Sequence, residues 1–281
     1  MRPTELATRD SLSNRGSTAA DVRQRVLQHV CLAATLVEDR SLPAQEFVHE
    51  LRKEMKKSRA GLRLLSGALG IDLTRLEEDC RGIGRGLSSL RDHDVVLELV
   101  VSLDVRLSSD SEQAAWRRFG DMLVQQRDRL LSEGLLSNRW RLATVERLDR
   151  VAHRLSEIDI TETGLPAFHR VLERTQKAGR KALRKLQGDP CDEGFHRLRK
   201  RAKRELYQRR MLELSVDQPT DSRIGQLDPL CQALGHQQDL VTLTVLASEA
   251  GILRNPIERQ LNSLVQKCRE ENIALAAKTY C

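Results

Sequence analysis

The sequence has few aromatic residues and no long apolar segment. Its 281 residues include two Trp, two Tyr and four Phe. No apolar run reaches the roughly 18 residues of a membrane span, and residues 1–20 lack the apolar block of a secretory signal. We therefore expect no membrane association and a cytoplasmic location. Residues 1–18 are predicted to form a polar, flexible tail.

The cysteines and glycines do not follow the spacing of a metal, disulfide or catalytic motif. The six cysteines form no C-x-x-C pair, which is typical of a reduced cytosolic protein. The glycine-rich stretch at residues 82–86 has no strand before it and no Gly-Lys-Ser/Thr after it, so we interpret it as a helix break. The G-x-S-x-G and H-E-x-x-H motifs are also missing. We predict a protein without catalytic residues, cofactor or metal.

Positive charge is concentrated in three segments. The net charge is +7, but residues 49–63, 170–185 and 196–210 contribute +4, +6 and +7, respectively, so the rest of the chain is acidic. Such a distribution indicates a defined binding site for an anionic partner.

Apolar residues recur at three- and four-residue spacing, without alternation of period two, and this pattern predicts an all-α fold. Turn residues divide the chain into eleven predicted helices. They cover residues 19–40, 44–69, 72–88, 92–107, 111–132, 139–157, 165–187, 192–214, 221–235, 238–250 and 255–278.

Two of the basic segments belong to an internal repeat. Residues 49–57 match residues 196–204 at an offset of 147, with one His, one Leu, one Arg and two Lys identical. The same offset relates three later pairs: Leu87 and Leu234, Asp92 and Asp239, and Leu99 and Leu246. A register kept without a gap predicts two related halves. We place them at residues 19–160 and 161–281, with a seam between Ile158 and Pro166.

Each basic segment places its charges on one face of a helix. At 100° per residue, the first basic stripe is about 80° wide and consists of His49, Arg52, Lys56, Arg59 and Arg63. The second copy contributes His196, Arg199, Lys203 and Arg210, and the helix over 165–187 contributes Arg170, Arg174, Lys177, Lys181 and Arg184. A separate apolar face of the first helix, predicted to be buried, consists of Val48, Leu51, Met55, Leu62 and Leu69.

These stripes favour a multivalent anion site over an ordinary solvated face. Like charges one turn apart destabilise a helix, and acidic residues are nearly absent from the stripes themselves. From Arg52 to Arg63 the first stripe is roughly 16 Å long at 1.5 Å per residue. That length suits an extended polyanion better than a single phosphate.

The repeated pattern H-x-x-R-x-x-x-[KR]-[KR], with a downstream L-x-x-x-x-D in each half, resembles the conserved histidine α-helical domain (CHAD) family. The resemblance covers residues 20–278. Its basic motifs consist of His49, Arg52, Lys56, Lys57 and Arg59 in the first half and His196, Arg199, Lys203, Arg204 and Tyr207 in the second. The stretches at 90–97 and 234–240 are similar to two further family motifs.

The resemblance implies two antiparallel helical bundles related by a pseudo-twofold axis, with basic side chains lining a central groove or pore. It implies binding of inorganic polyphosphate without catalysis, and an association with polyphosphate granules and their proteins. The E-x-E-x-K signature of the triphosphate-tunnel domain that some relatives carry is absent. Departures from the family pattern are Lys53 and Lys200, where an apolar residue is expected, and a first helix less basic than its counterpart at 165–187.

From the stripes and the resemblance together we predict a polyphosphate site. It is formed by His49, Arg52, Lys53, Lys56, Lys57, Arg59, Arg63, Lys177, Lys181, Arg184, His196, Arg199, Lys200, Lys203, Arg204, Tyr207 and Arg210. Asp92 and Asp239 are predicted to orient the basic residues through ion pairs.

Alternative functions stay open at this point. Phosphates of nucleic acids also attract Lys and Arg, although Tyr207 alone lies near a basic stripe as a stacking platform. A helical scaffold or an accessory of a phosphate-metabolising enzyme is a further alternative. Metal binding by His49 and His196 is disfavoured because the surrounding cations would repel a metal ion. Neither the oligomeric state nor the preferred chain length follows from the sequence.

Overall fold

The computed structural model describes residues 18–103, 109–160, 163–216, 221–253 and 255–280. These residues form ten α-helices and no strand, which confirms the all-α prediction. The helices are α1 (Thr18–Glu38), α2 (Ala44–Leu69), α3 (Thr74–Gly86), α4 (Ser88–Ser102), α5 (Asp110–Ser132), α6 (Asn138–Ser156), α7 (Leu165–Gly188), α8 (Asp192–Val216), α9 (Ser222–Glu249) and α10 (Asn255–Tyr280). The predicted tail lies outside the described residues, apart from Thr18.

Local sequence explains several helix ends. The side chains of Ser109, Ser137 and Asp221 each accept a hydrogen bond from a backbone N–H of the following helix, as N-cap residues do. Helix α2 ends at Gly70, which has the left-handed φ of 71° that glycine adopts readily.

One predicted helix boundary is wrong, and so is the interpretation of the glycines at residues 82–86 as a helix break. The predicted helices at 221–235 and 238–250 form the single helix α9. Gly235 lies inside it, between the buried residues Leu234 and Leu240, and their packing offsets the roughly 1 kcal/mol by which glycine weakens a helix. The glycines at 82–86 likewise lie within α3, and the chain turns at Leu87 instead.

The repeat seen in the sequence extends to the helices. Helices α1, α2 and α5 recur as α7, α8 and α10, with bounds that agree to within three residues after a shift of 147. Helices α3 and α4 together correspond to the single helix α9. Helix α6 has no counterpart among the helices described. The two halves therefore share one helical plan, with one added helix in the first.

Three buried clusters hold the helices together. The first lies mainly among α1, α2, α3 and α6, the second among α7–α10, and the third joins α4 and α5 to α9 and α10. Four residues of the predicted apolar face of α2, namely Val48, Leu51, Met55 and Leu62, are fully buried, and Leu69 is partly buried. With these residues turned to the core, α2 packs against α8 and presents its basic face beside the basic face of that helix.

Candidate anion-binding site

A cavity of about 520 Å³ lies between α2, α3 and α8, next to the first residue of α4. Ten Lys and Arg side chains line it, and no Asp or Glu is among the described residues on its wall. The ten are Arg52, Lys56, Arg59, Arg63, Arg81, Arg85, Arg199, Lys200, Lys203 and Arg204. Such a wall attracts anions and repels cations.

The arginines contributed by α2 have partners within the protein. Nη1 of Arg52 donates to the carbonyl oxygen of Gly84 at 2.5 Å and to Oγ of Ser88 at 2.9 Å. Arg59 lies 3.1 Å from the Glu77 carboxylate, and Arg63 pairs with the same carboxylate through two nitrogens. Burial alone would raise the pKa of Glu77, but its bonds to Arg63 and Arg59 lower it. Glu77 therefore carries a negative charge that holds two of the cations.

The cations contributed by α8 are not neutralised in this way. Arg199, Lys203 and Arg204 form no ion pair with any described carboxylate. Burial, and next the charge of Arg199, lower the pKa of Lys203 to about 8. Across the cavity, burial and then the charge of Lys203 lower the pKa of Lys56 to about 7. The two ammonium groups therefore repel each other in the unliganded protein.

Four buried guanidinium nitrogens on this wall have no hydrogen-bond partner. They are the Nε atoms of Arg52, Arg59, Arg199 and Arg204. Buried donors without an acceptor are rare in folded proteins and need an explanation. An anion in the cavity would relieve the repulsion between the cations and supply acceptors for their accessible nitrogens.

Asp92 and Asp239 occupy equivalent positions near the two motif arginines. Burial raises the pKa of both carboxyls, and the charge of Arg52 on Asp92, or of Arg199 on Asp239, partly offsets that effect. Neither forms a direct ion pair with a described basic residue. Their influence on the cations therefore acts through space, and an orienting role stays a prediction.

The structure brings together ten of the seventeen predicted site residues. The wall of the cavity includes Arg52, Lys56, Arg59, Arg63, His196, Arg199, Lys200, Lys203, Arg204 and Tyr207. Nδ1 of His196 lies 2.9 Å from Oε1 of Gln238 on α9, which fixes the orientation of the ring.

The other predicted residues lie outside the cavity wall. Lys57 pairs with the buried Glu54 at 2.5 Å, and Arg210 pairs with Asp228 at 2.9 Å. His49 is exposed. The remaining four are Lys53, which pairs with Glu50 at 2.9 Å, and the exposed residues Lys177, Lys181 and Arg184 of α7.

Sequence reasoning missed Arg81 and Arg85 of α3. They follow Glu77 at intervals of four residues, so all three share one helical face. That spacing was available in the sequence, but the neighbouring glycines suggested a break where the helix in fact continues.

No group of three or more His, Cys, Asp or Glu side chains within the described ranges is arranged to hold a metal ion. Over the same ranges, no helix combines the length and the apolar character needed to cross a membrane. Five cysteines, at positions 31, 80, 191, 231 and 268, are present as free thiols.

Fold and site together define an all-helical domain built from two similar halves, with a cationic cavity between their repeated helices. The CHAD domain model matches residues 24–248, and the chain belongs to this family. The resemblance drawn from the repeated motif is thereby confirmed.

Solved structures of other proteins share the fold. The crystal structure of the CHAD domain from the plant Ricinus communis superposes with a TM-score of 0.62 at 20% sequence identity, covering 99% of this chain and 91% of that one. PptA from Streptomyces chartreusis superposes with a TM-score of 0.60 at 16% identity, covering 99% and 97% of the two chains. No curated protein matches the sequence. At these identities the likeness concerns the fold alone.

Proposed function

We propose that this protein binds inorganic polyphosphate in the cavity between α2, α3 and α8, and that it does so without catalysis. The observation that supports the proposal is the wall of ten cations with no carboxylate among its described residues. Phosphate oxygens accept several hydrogen bonds and carry negative charge, which would balance the positive charge of this wall. Membership in the CHAD family implies the same class of ligand.

The distribution of the cations favours a polymer over a single phosphate. Arg52 and Arg63 are about 16 Å apart along α2 by the rise of the helix, and both line the cavity. A linear polyanion contacts both ends of this row at the cost of one loss of translational freedom, whereas separate orthophosphate ions would each bear that cost.

The same wall disfavours single-stranded nucleic acid. Tyr207 is the one aromatic residue on the described wall, and proteins that bind single strands stack successive bases on aromatic side chains. A polyphosphate chain has no bases to accommodate.

The direct test measures affinity for long-chain polyphosphate against salt concentration. If about six to eight phosphates are neutralised, the log–log slope is roughly −4 to −6 for a flexible single-stranded polyanion. Single-stranded DNA and RNA at equal charge concentration should compete poorly. Competition as strong as that of polyphosphate would favour the nucleic-acid function instead.

A charge-reversed variant tests the location. The substitutions Arg52→Glu, Lys56→Glu, Arg199→Glu and Lys203→Glu together should weaken binding by more than about 100-fold, with unchanged helical circular dichroism. The matched control reverses four exposed arginines away from the cavity, Arg117, Arg118, Arg139 and Arg150. Loss of binding only in the control would place the site elsewhere.

Thermal unfolding provides an independent measurement. A ligand at one hundred times its Kd stabilises the native state by about 2.7 kcal/mol, which for a chain of this size raises Tm by several degrees at roughly 2–4 °C per kcal/mol. Long-chain polyphosphate should produce this shift, and orthophosphate at equal total phosphorus should not. Equal shifts from both would indicate a small-phosphate pocket.

The proposal extends to location in the cell. A protein that holds polyphosphate would accompany polyphosphate granules, and granule proteins would be its neighbours. A fluorescent fusion should label the granules, and the charge-reversed variant should be diffuse. Labelling that survives the charge reversal would mean that another surface recruits the protein.

A further inference from the structure

A second basic groove adjoins the central cavity on one side. It has a volume of about 370 Å³ and lies between α2, α7 and α8. Arg63 and Arg204 line both the cavity and the groove, so the two adjoin at these side chains. Beyond them the groove is lined by Arg174 of α7 and Arg201 of α8.

The arginines of this groove lack acidic partners. Arg174 and Arg201 form no ion pair with a described carboxylate. Burial, followed by the charges of Arg63 and Arg201, lowers the pKa of Arg204 to about 10. The positive potential of the cavity therefore continues into the groove.

Gln208 adds a polar side chain to the groove. This residue of α8 lines the groove although it is only 1% exposed. Its amide lies 2.9 Å from Oγ1 of Thr175 on α7. An amide group can donate two hydrogen bonds, so the side chain adds a donor to the arginines of the groove.

The first half does not repeat the two arginines of this groove. At an offset of 147, the counterparts of Arg174 and Arg201 are Leu27 and Glu54. Leu27 is buried in the core, and the carboxylate of Glu54 is buried against His29 and Lys57. The basic extension therefore exists on the α7 side alone among the described helices.

We infer that the groove between α2, α7 and α8 is a second anion subsite, which takes the phosphates of a polyphosphate chain where it leaves the central cavity. This inference rests on the proposed function, because it assigns an exit path to the same ligand. The chain then extends from the cavity in one direction only. Affinity depends on chain length, since a chain too short to leave the cavity does not reach Arg174 or Arg201.

The experiment compares tripolyphosphate with long-chain polyphosphate on the double variant Arg174→Gln/Arg201→Gln. Both side chains reach the surface, so the variant should fold, and circular dichroism checks this. Affinity for the long chain should fall roughly tenfold, and its salt slope should become less steep by about 1.4, for two lost contacts to a single strand. Affinity for tripolyphosphate should stay within about twofold.

A matched control removes the same charge elsewhere. The variant Arg117→Gln/Arg118→Gln alters two exposed arginines of α5 that line neither the cavity nor the groove, and it should bind both ligands as the parent does. Unchanged long-chain affinity in the groove variant would overturn the inference. Equal weakening for both ligands would also overturn it, because the groove would then act only through its general field. If the parent protein bound neither ligand, the proposed function itself would fail.

Discussion

The two copies of the basic motif differ in which of their cations form ion pairs with carboxylates. In the first half, Glu77 holds Arg59 and Arg63, and the buried Glu54 holds Lys57. In the second half, the buried Glu205 pairs instead with Arg209 and Arg223, which are not motif residues. Arg199, Lys203 and Arg204 are thereby left without acidic partners in the described structure.

A repeated motif therefore does not imply a repeated role. Both halves place Arg and Lys side chains on one cavity, yet a carboxylate on a neighbouring helix decides which of these cations are available to a ligand. On the cavity wall, the cations of the second half have no acidic partner in the described structure. In the first half, Arg59 and Arg63 must exchange the Glu77 carboxylate for a phosphate, whereas Arg52 and Lys56 have no carboxylate partner among the described residues. The groove on the α7 side adds to the same difference.

The largest expected effect is a difference in polyphosphate affinity between two variants, each of which lacks two arginines. The variant Arg199→Gln/Arg204→Gln should weaken polyphosphate binding by about 100-fold, because each unpaired guanidinium donates charged hydrogen bonds directly. The variant Arg59→Gln/Arg63→Gln should weaken it by only about tenfold, since those groups are already engaged by Glu77. Isothermal titration at one salt concentration checks both variants. Equal losses would show that pairing with Glu77 does not restrain the first half.

The sequence predicted the features that depend on a single helix, but not the ion pairs that form between two helices. The helical wheel correctly assigned Val48, Leu51 and Met55 to the core, because periodicity reports which face of one helix is apolar. Pairing across helices leaves no such trace. Glu77 lies fourteen residues after Arg63 on the next helix, so a search for acids within each stripe missed the carboxylate that neutralises two predicted ligands.

Helix α7 shows the converse case. Its stripe predicted Lys177, Lys181 and Arg184 in the site, but these residues are exposed outside the cavity, whereas Arg174 of the same stripe lines the adjoining groove. A stripe specifies the face of a helix but not the position along its axis where another helix ends or a cavity opens. That position depends on the packing of α7 against α2 and α8.

A second prediction removes an acid in order to strengthen binding. The variant Glu77→Gln should release Arg59 and Arg63 and remove one negative charge beside the cavity, which raises polyphosphate affinity by up to about tenfold. The loss of two partly exposed ion pairs should lower the stability of the unliganded protein by about 1 kcal/mol. Titration and thermal unfolding of the same sample measure the two effects.

The matched control for Glu77 is Asp228 in the second half. Asp228 pairs with Arg210, which does not line the cavity. Asp228→Asn should therefore change affinity much less than Glu77→Gln, although both remove one negative charge. Equal gains would mean that net charge, rather than the release of the two arginines, controls binding.

The smallest expected effect concerns pH, and it tests the pair of lysines that face each other across the halves. The pKa values of Lys56 and Lys203 are lowered from 10.5 to about 7 and about 8. A bound polyanion favours the charged ammonium groups, so binding should take up protons, and affinity should fall about fivefold as the pH rises from 7 to 9. Titration in two buffers of different ionisation enthalpy measures this uptake.

Stability should change with pH in the opposite direction. Because the folded-state pKa values lie below those of the unfolded chain, the unfolded chain binds more protons between about pH 7 and pH 10. The unliganded protein therefore becomes more stable as the pH rises through that window.

The control for the pH dependence of binding is Lys56→Arg/Lys203→Arg, which keeps both positive charges at every pH in the window. It should bind polyphosphate with a nearly flat pH profile, and any slope that remains belongs to the ligand. A slope as steep as that of the parent would show that the two lysines do not titrate in the cavity.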